Sequence, residues 1–449
     1  MLAFLRFERR RIFGEKKNLI FLGFISLFSA YFVFSGLNEY RQFQSEKKIF
    51  IKFEKEKISQ FVTYAQYGTF GFRLLYEASP LNLFFVNSSV LQDVESNIDN
   101  FEAIKVESSF KGKKLFLKRG YFKDFAGIPF IFGSLLMLYM GYLAMVSPEY
   151  LRFITGRMSL KKYYGLTTAA RLFWLDLFFI SLGLGLFFLV QLDGVNFPRS
   201  EKMIFFLYLL FLVLLLDFIY LLGQLTTVLV RFRKVFFLWF FIVWFICIFL
   251  LPEINRISVF NKSLVLESAE KVNLEKFRTL MALEKKFRDF LKVNPAAPLD
   301  QIRQMQKKFA VQFINSSYLL NTGLETKYLR DVERVIAGHE RQSVLFPTTF
   351  YYFLTGEVSG KGYYGYLDFM DYIMKLRNRF IQFYLKKRYE TNDTTVESFV
   401  KSDENIFRSR SRLPKTFWLG LLVTVLYGTA FLALTYWRLR SQVFQALLH

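Results

Sequence analysis

The sequence predicts an all-α polytopic membrane protein with six transmembrane helices, an N-terminal interfacial helix and two extracytoplasmic insertions, the second mainly helical. The composition is the first reason, because 53% of the 449 residues are hydrophobic and 20% are aromatic. A soluble domain of this length does not need so much apolar material. The second reason is a set of six apolar runs, each close to the roughly 20 residues that a helix needs to cross a bilayer core of about 30 Å.

Charge and cysteine content narrow the class further. The formal net charge is +23, but lysine and arginine are spread over helix ends and long polar segments. This distribution fits membrane topology and contact with anionic lipid, and no nucleic-acid partner is expected. Cys247 is the only cysteine and there are two histidines, so the sequence predicts no disulfide, no metal site and no cofactor held by this chain.

The predicted elements follow in chain order from the apolar runs. Residues 1–17 mix Leu2, Phe4 and Phe7 with arginines, which is typical of an amphipathic helix in the headgroup region. The six predicted spans cover 18–37, 125–146, 172–191, 203–230, 235–251 and 416–437, and 438–449 form a tail. Pro129 falls near the start of the second span, and Pro252 is expected to end the fifth.

The flanking charges give the orientation. Residues 1–17, 148–171, 231–234 and 438–449 together hold 16 lysines and arginines, whereas the short loop 192–202 on the opposite side holds two. The positive-inside rule therefore predicts that both termini are cytoplasmic. The long loops, 38–124 and 252–415, then form two extracytoplasmic domains.

Both long loops carry folding signals. The charged stretch after the first span, 40–63, is expected to continue that helix beyond the membrane, and 104–109 with 114–118 resemble a hairpin. In the second loop, 294–298 contain two prolines that break a helix. Apolar residues at helical spacing on either side of this break predict a helical domain. They are Phe277, Leu280, Phe287 and Leu291 in the first stripe and Phe369, Ile373, Leu376, Phe380 and Phe383 in the second.

No catalytic constellation is visible, and the chain is not expected to be an enzyme. The nearest approach to a phosphate-binding loop is the glycine-rich segment 356–362. Its glycines are one residue too close for a P-loop, and neither serine nor threonine follows Lys361. We interpret this segment as a turn between two helices.

Two acidic residues lie inside predicted spans. Asp217 is near the middle of the fourth span, and Asp176 is about one turn inside the third. Because an ionised group in hydrocarbon costs a few kcal/mol or more, such residues usually face a partner or a wet cavity. Asp217 either lines a translocation route or moving interface, or forms a structural pair, for example with Gln224 or Arg171. Asp176 lies near the charged cytoplasmic edge, where the structural interpretation is favoured.

The last predicted span carries Gly420, Thr424 and Gly428 at four-residue spacing. Small residues at this spacing allow helices to approach closely. The sequence leaves two alternatives open, a subunit interface or packing within one chain.

The main cytoplasmic surface is the loop 147–171. It mixes apolar and aromatic residues with basic ones, which suits a short amphipathic helix that docks into a partner's groove. The alternative is a helix that touches lipid headgroups. The candidate coupling residues are Glu149, Tyr150, Leu151, Arg152, Phe153, Arg157, Lys161 and Lys162.

This layout, an interfacial helix, six spans and a docking loop after the second span, resembles the ABC-2 type permeases. The large insertions resemble the subgroup related to gliding-motility and nitrous-oxide-reductase-maturation permeases. The similar stretches are Tyr67-Gly68 with Ser79-Pro80-Leu81, the loop from Leu151 to Leu172, Trp244 to Pro252, and Phe346 to Phe369. The docking loop departs from the family pattern, because Glu149 is followed by Tyr-Leu-Arg rather than by a run resembling E-x-x-x-G-T-L.

The resemblance implies a subunit of an exporter driven by ATP, located in a bacterial inner membrane. Two permease chains would pair, as a homodimer or heterodimer, around a central route. Each would bind a separate ABC ATPase subunit, which would hold the ATP and Mg²⁺. The alternative is a non-transporting scaffold or signalling protein, whose extracytoplasmic domains bind a periplasmic or other cell-envelope protein.

Overall fold

The computed structural model describes residues 2–86, 95–98, 124–145, 159–229, 236–260, parts of 274–293, 298–390, 395–400 and 404–448. About 83% of the structure is helical. The helices are α1 (Leu2–Gly14), α2 (Lys16–Ser59), α3 (Tyr64–Phe70), α4 (Pro129–Leu143), α5 (Leu160–Leu192), α6 (Arg199–Leu229), α7 (236–260), α8 (Leu299–Ser343), α9 (Pro347–Val358), α10 (Tyr363–Leu385) and α11 (Phe417–Leu448). The expected hairpin at 104–118 lies outside the described residues.

Five helices in the described part of the chain are long and apolar enough to cross a membrane: α2, α5, α6, the segment Leu238–Asn255 of α7, and Phe417–Ser441 of α11. The chain is therefore a helical membrane protein. The predicted second span corresponds to α4, an apolar helix of only 15 residues whose first turns, Pro129–Gly133, are π-helical. The first and third predicted spans fall within longer helices, α2 and α5. The fourth and sixth predicted spans coincide with α6 and α11 to within one residue at one end, and both helices extend beyond the span at the other.

The prediction that Pro252 ends the fifth span is wrong. Helical structure continues from Phe236 to Phe260, and Pro252 lies in its interior. The turn immediately before the proline, Ile246–Leu250, is π-helical. A proline lacks the N–H for the regular helical bond and clashes with the preceding turn, and a wider turn relieves both problems.

Helix α6 is the centre of the membrane bundle. Two thirds of its most apolar window is buried inside the protein, more than in any other described candidate span. Its closest neighbour is α4, because Gly141 and Gly223 let the two backbones meet. A Cβ on Gly141 would overlap the carbonyl oxygen of Tyr220, and one on Gly223 would overlap that of Leu138. Small residues therefore fix this crossing.

A second apolar core lies outside the bundle and defines what we call the head domain, built by the second half of α2 with α3, α8, α10 and a small sheet. Strand β1 (Phe72–Glu77) pairs antiparallel with β2 (Glu95–Ile98) and parallel with β3 (Ile406–Arg408). The core packs Tyr67 and Phe72 against Phe380. The sequence treats the two long loops as separate domains, but they share this sheet and this core.

The predicted helical extension of the first span is confirmed. Helix α2 has 44 residues and continues past the apolar run into the head domain, where Phe50, Glu54 and Ile58 are buried. At a rise of 1.5 Å per residue it is about 66 Å long. Helix α2 therefore links the bundle and the head domain directly. The second predicted apolar stripe is also confirmed, because Phe369, Ile373, Leu376 and Phe380 are each at most 3% exposed.

Helix α9 joins the two cores. It begins at Pro347, which is well suited to the first turn of a helix because that turn leaves N–H groups unbonded. Tyr351 and Leu354 pack in the core of the bundle, whereas Phe353 packs in the head domain. The hydroxyl of Tyr351 donates to the carbonyl oxygen of Ala126 at 2.7 Å and lies 2.8 Å from the hydroxyl of Tyr208 on α6. These contacts fix the head domain on the bundle.

Candidate functional site

Two aspartates from neighbouring membrane helices form a carboxyl pair. Asp176 lies near the midpoint of α5, Asp217 lies just past the midpoint of α6, and their side chains are within hydrogen-bonding reach of each other. The Oδ1 atom of each is buried and has no hydrogen-bond partner among the described residues. Helix α5 begins at Leu160 rather than at the predicted Leu172, so Asp176 is farther along its helix than the sequence indicates.

Electrostatics limits the ionisation of this pair. Two negative charges about 4 Å apart repel each other by about 4 kcal/mol at an effective dielectric constant of 20. Each ionised carboxylate also costs a few kcal/mol in hydrocarbon. We therefore expect the pair to hold at least one proton between its two carboxyl groups. Such a pair can exchange a proton, or it can act as a polar contact that breaks when α5 and α6 move apart.

The two residues that the sequence offered as partners of Asp217 belong to a different network. Arg171 and Gln224 are part of what we call the polar chain, which comprises Glu8, Arg171, Tyr220, Gln224 and Tyr164. The polar chain runs through the bundle near the end where α1 lies. The partner that the structure gives Asp217 is Asp176.

The polar chain starts with a buried ion pair. The Nε atom of Arg171 on α5 donates to Oε2 of Glu8 on α1 at 2.6 Å, and the side chains are 3% and 1% exposed. A second nitrogen of Arg171 donates to the carbonyl oxygen of Met140 at 3.3 Å. The guanidinium thus binds α1 and α4 at the same time. Removing one partner of a buried pair is strongly destabilising, because the other charge is left uncompensated.

Side-chain amide and hydroxyl groups continue the polar chain beyond Arg171. The hydroxyl of Tyr220 lies against the Arg171 guanidinium and accepts from Nε2 of Gln224 at 3.1 Å. The same Nε2 donates to Thr168 at 3.1 Å, and Oε1 of Gln224 accepts from the hydroxyl of Tyr164 at 2.8 Å. These bonds connect α1, α5 and α6 in one hydrogen-bonded unit, as expected for buried polar groups.

Aromatic contacts hold α1 against α5 as well. The Nε1 atom of Trp174 donates to the carbonyl oxygen of Leu5 at 2.9 Å. The guanidinium of Arg9 lies 5.8 Å from the centre of the Trp174 ring, and Phe13 meets the ring edge-on. The predicted interfacial helix is therefore bonded to the bundle, with a buried acid on the face that contacts α5.

The predicted coupling residues divide into two groups. Glu149, Tyr150, Leu151, Arg152, Phe153 and Arg157 lie outside the described residues. Lys161 and Lys162 occupy the first turn of α5 and are exposed. Helix α5 then continues without a break through Arg171 to Asp176 and beyond. The described end of the coupling loop is thus the beginning of a membrane helix.

The small residues of α11 pack within the chain. Gly420 faces Phe350 of α9 so closely that a Cβ would overlap the phenyl ring, and a Cβ on Gly428 would lie 3.5 Å from Leu221 of α6. Thr424 is 1% exposed, and its hydroxyl donates to the carbonyl oxygen of Gly420 at 2.8 Å. Of the two alternatives left open by the sequence, these contacts favour packing within one chain.

The second half of the glycine-rich segment, 359–362, forms the turn between α9 and α10, and 356–358 are the last residues of α9. Gly360 has a φ of +73°, which favours glycine. At Gly362 a Cβ would overlap the carboxylate of Glu357, whose Oε1 accepts from the backbone N–H of Tyr364 at 3.2 Å. Glu357 therefore caps the N-terminus of α10.

Glu357 is an acid buried where α9 meets α10. Its side chain is 1% exposed, and its Oε2 lies 3.9 Å from Nε of Arg412, an ion-pair distance too long for a hydrogen bond. Burial raises the pKa of Glu357 to about 7, although the N–H of Tyr364 and the charge of Arg412 oppose this effect. Nearby Glu340 also raises this pKa. The carboxyl group can therefore change its charge near neutral pH.

No cluster of three or more His, Cys, Asp or Glu residues suited to a metal ion occurs within the described ranges. Sequence reasoning missed the pairing of Glu8 with Arg171 and the close crossing of α4 and α6. The sequence contains a hint of each feature. An acid among the apolar residues of 1–17 and an arginine at a span boundary are natural partners. Gly141 and Gly223 likewise lie inside apolar runs.

Comparison with known proteins does not assign this chain to a family. No family model matches the chain, and neither a curated protein nor a solved structure is detectably similar to it. The fold and the buried polar groups define a helical membrane protein whose bundle carries a folded head domain.

Proposed function

We propose that this chain is the membrane-spanning permease subunit of an ATP-binding-cassette exporter. In this proposal two permease chains form the translocation route in a bacterial inner membrane, with six spans per chain and both termini in the cytoplasm. Each chain binds an ABC ATPase subunit that holds the ATP and Mg²⁺. The head domain then lies on the extracytoplasmic side.

The observation that carries this proposal is the attachment of α1 to α5. An energy-receiving subunit needs a rigid connection from its cytoplasmic surface to the helices around the route. Helix α5 begins at the exposed lysines Lys161 and Lys162 and continues as one helix to Asp176. The ion pair between Arg171 and Glu8 adds α1 to the same unit. A displacement at the coupling loop would therefore move α1 and α5 together. It would move α5 relative to α6 by breaking the hydrogen bonds that Gln224 makes to Tyr164 and Thr168.

The carboxyl pair lies at the interface where this movement would occur. Asp176 is on α5, Asp217 is on α6, and their contact is polar in otherwise apolar surroundings. In the proposed mechanism the pair holds α5 and α6 together in the resting state. Separation of the helices would expose both carboxyl groups to water in the route and permit ionisation.

The alternative function is a non-transporting scaffold. The observation in its favour is the head domain, whose core draws on both long loops and which is tied to the bundle by α2 and α9. A rigid platform of this kind would also suit a protein that presents a binding surface to the cell envelope. A scaffold would have no ATPase partner.

The experiment is a coupling test on the complex purified in mild detergent and reconstituted in liposomes. Charge reversal of Lys161 and Lys162 to Glu, or of Arg152 and Arg157, is expected to lower ATP hydrolysis at least tenfold while protein yield and melting temperature stay unchanged. The matched control is Arg438→Glu, which reverses an exposed charge on α11. Unchanged hydrolysis in the loop variants would refute the coupling role, and purification without any ATPase would favour the scaffold.

A further inference from the structure

The head domain contains a cavity that the transport proposal does not use. It has a volume of about 750 Å³ and lies between the first half of α8 and the C-terminal end of α10. Pockets that bind small ligands typically have volumes of about 300–1,000 Å³. This cavity is therefore large enough for a small molecule.

The polar part of the cavity lining is cationic. Lys307 and Lys308 lie on α8, and Lys386 is the residue immediately after α10. Four side-chain amides complete the polar lining, and none of the described lining residues is acidic. All three lysines are exposed, so their ammonium groups are available to a ligand. An anion is the complement of this arrangement, because lysine binds phosphate and carboxylate groups as a point charge.

The remaining lining is apolar and continues into the core of the head domain. Val311, Phe383 and Tyr389 are half-buried residues that pack against that core, and Leu385 belongs to it. The cavity lining thus combines charged side chains with aliphatic and aromatic ones. A simple inorganic anion would use only the charged side chains.

The distance from the membrane bundle narrows the choice of ligand. Phe383 contacts Tyr64, which follows α2, and Ile58 near the end of α2 is 21 residues beyond Leu37, the last residue of the predicted first span. Along a helix this separation corresponds to about 30 Å. With the first span ending at Leu37 as predicted, the cavity lies beyond the reach of a lipid that remains in the bilayer.

We propose that this cavity binds a small anionic amphiphile, a molecule in which a phosphate or carboxylate group is joined to a short apolar group. The lysines hold the anion, and Val311, Phe383 and Leu385 contact the apolar group. The ligand is bound as a single molecule removed from the membrane. The inference concerns binding alone, so it stands or falls separately from the transport proposal.

The test uses isothermal titration calorimetry on the full chain in lipid nanodiscs. The probes are hexyl phosphate and hexanoate, with inorganic phosphate and 1-hexanol as the two halves of the ligand. Wild-type protein is expected to bind at least one of the two amphiphiles at least tenfold more tightly than either half. The triple variant Lys307→Gln, Lys308→Gln, Lys386→Gln is expected to weaken this binding at least tenfold.

Lys327→Gln is the matched control, because Lys327 is an exposed lysine of α8 outside the cavity. It should bind the amphiphile as the wild type does. Equal binding by the triple variant and the wild type would overturn the proposal, and so would inorganic phosphate that binds as tightly as the amphiphiles. Absence of binding by both amphiphiles would overturn it as well. A melting curve for each variant separates lost binding from lost folding.

Discussion

Arg171 on α5 and Glu8 on α1 form an ion pair of 2.6 Å in which both side chains are almost completely buried. The pair joins the N-terminal helix to a helix that the sequence identifies as a membrane span. In the proposed permease this contact makes α1 part of the unit that receives movement from the ATPase.

Glu8→Gln is expected to destabilise the protein by about 3–5 kcal/mol, because it leaves the Arg171 guanidinium buried without a counter-charge. The measurement is the melting temperature of the purified protein, together with ATP hydrolysis by the complex. Glu15→Gln is the control, since Glu15 is exposed at the start of α2. An equal effect of the two substitutions would show that the ion pair does not hold α1.

Asp217→Asn is expected to lower ATP hydrolysis by the reconstituted complex more than it lowers protein abundance. The asparagine preserves the size of the side chain and its capacity for a hydrogen bond to Asp176, but it removes the exchangeable proton. Asp176→Asn should have the same effect, because the two carboxyl groups act as a pair. Asp193→Asn, in the exposed turn after α5, serves as the control. A fall in abundance alone would assign the pair a structural role.

Gly223→Ala is expected to destabilise the bundle by about 1–3 kcal/mol or more, because the new methyl group overlaps the carbonyl oxygen of Leu138 and forces α4 and α6 apart. Thermal unfolding in detergent measures this effect. Gly185→Ala on α5 is the matched control, since its Cβ would meet no atom of the described chain within 4 Å. If both variants melt alike, the close crossing of α4 and α6 does not contribute to stability.

The sequence predicted those parts of the fold that depend on local pattern. The apolar run at 203–230 became α6, and the stripe from Phe369 to Phe380 became the buried face of α10. The shared sheet was not predictable in this way, because Leu75 of β1 pairs with Ile406 of β3 more than 300 residues away. No local signal indicates a pairing of that range.

In the candidate site, too, local pattern predicted the residues but not the contacts between them. Asp176 and Asp217 were recognisable as acids in apolar runs, and each was singled out. Their contact depends on how α5 and α6 pack along their lengths, which the spacing of the residues does not specify. The pairing of Glu8 with Arg171 likewise depends on how α1 folds back against α5 after Gly14, and no pattern in 1–17 determines that angle.

The charge of Glu357 predicts a dependence of stability on pH. Its pKa is raised from 4.5 to about 7 in the folded protein, so the folded state binds more protons than the unfolded state between these values. Stability should therefore increase as pH falls from 8 to 5, by about 2.5 kcal/mol from this group. Arg412 and Glu340 are the charged groups that act on it.

Melting temperatures at pH 8 and pH 5 test this expectation. Glu357→Gln should remove most of the difference between the two conditions, since glutamine keeps the acceptor for the N–H of Tyr364 without a titratable proton. A difference of the same size in the variant would show that other groups cause the pH dependence.

The central claim is that the energy source for this chain lies on another subunit. Native mass spectrometry of the complex, purified in mild detergent through an affinity tag on this chain, tests the claim most directly. The account predicts two permease chains together with two copies of a subunit that contains a P-loop. Recovery of this chain alone, or only with cell-envelope proteins that lack an ATPase domain, would contradict it.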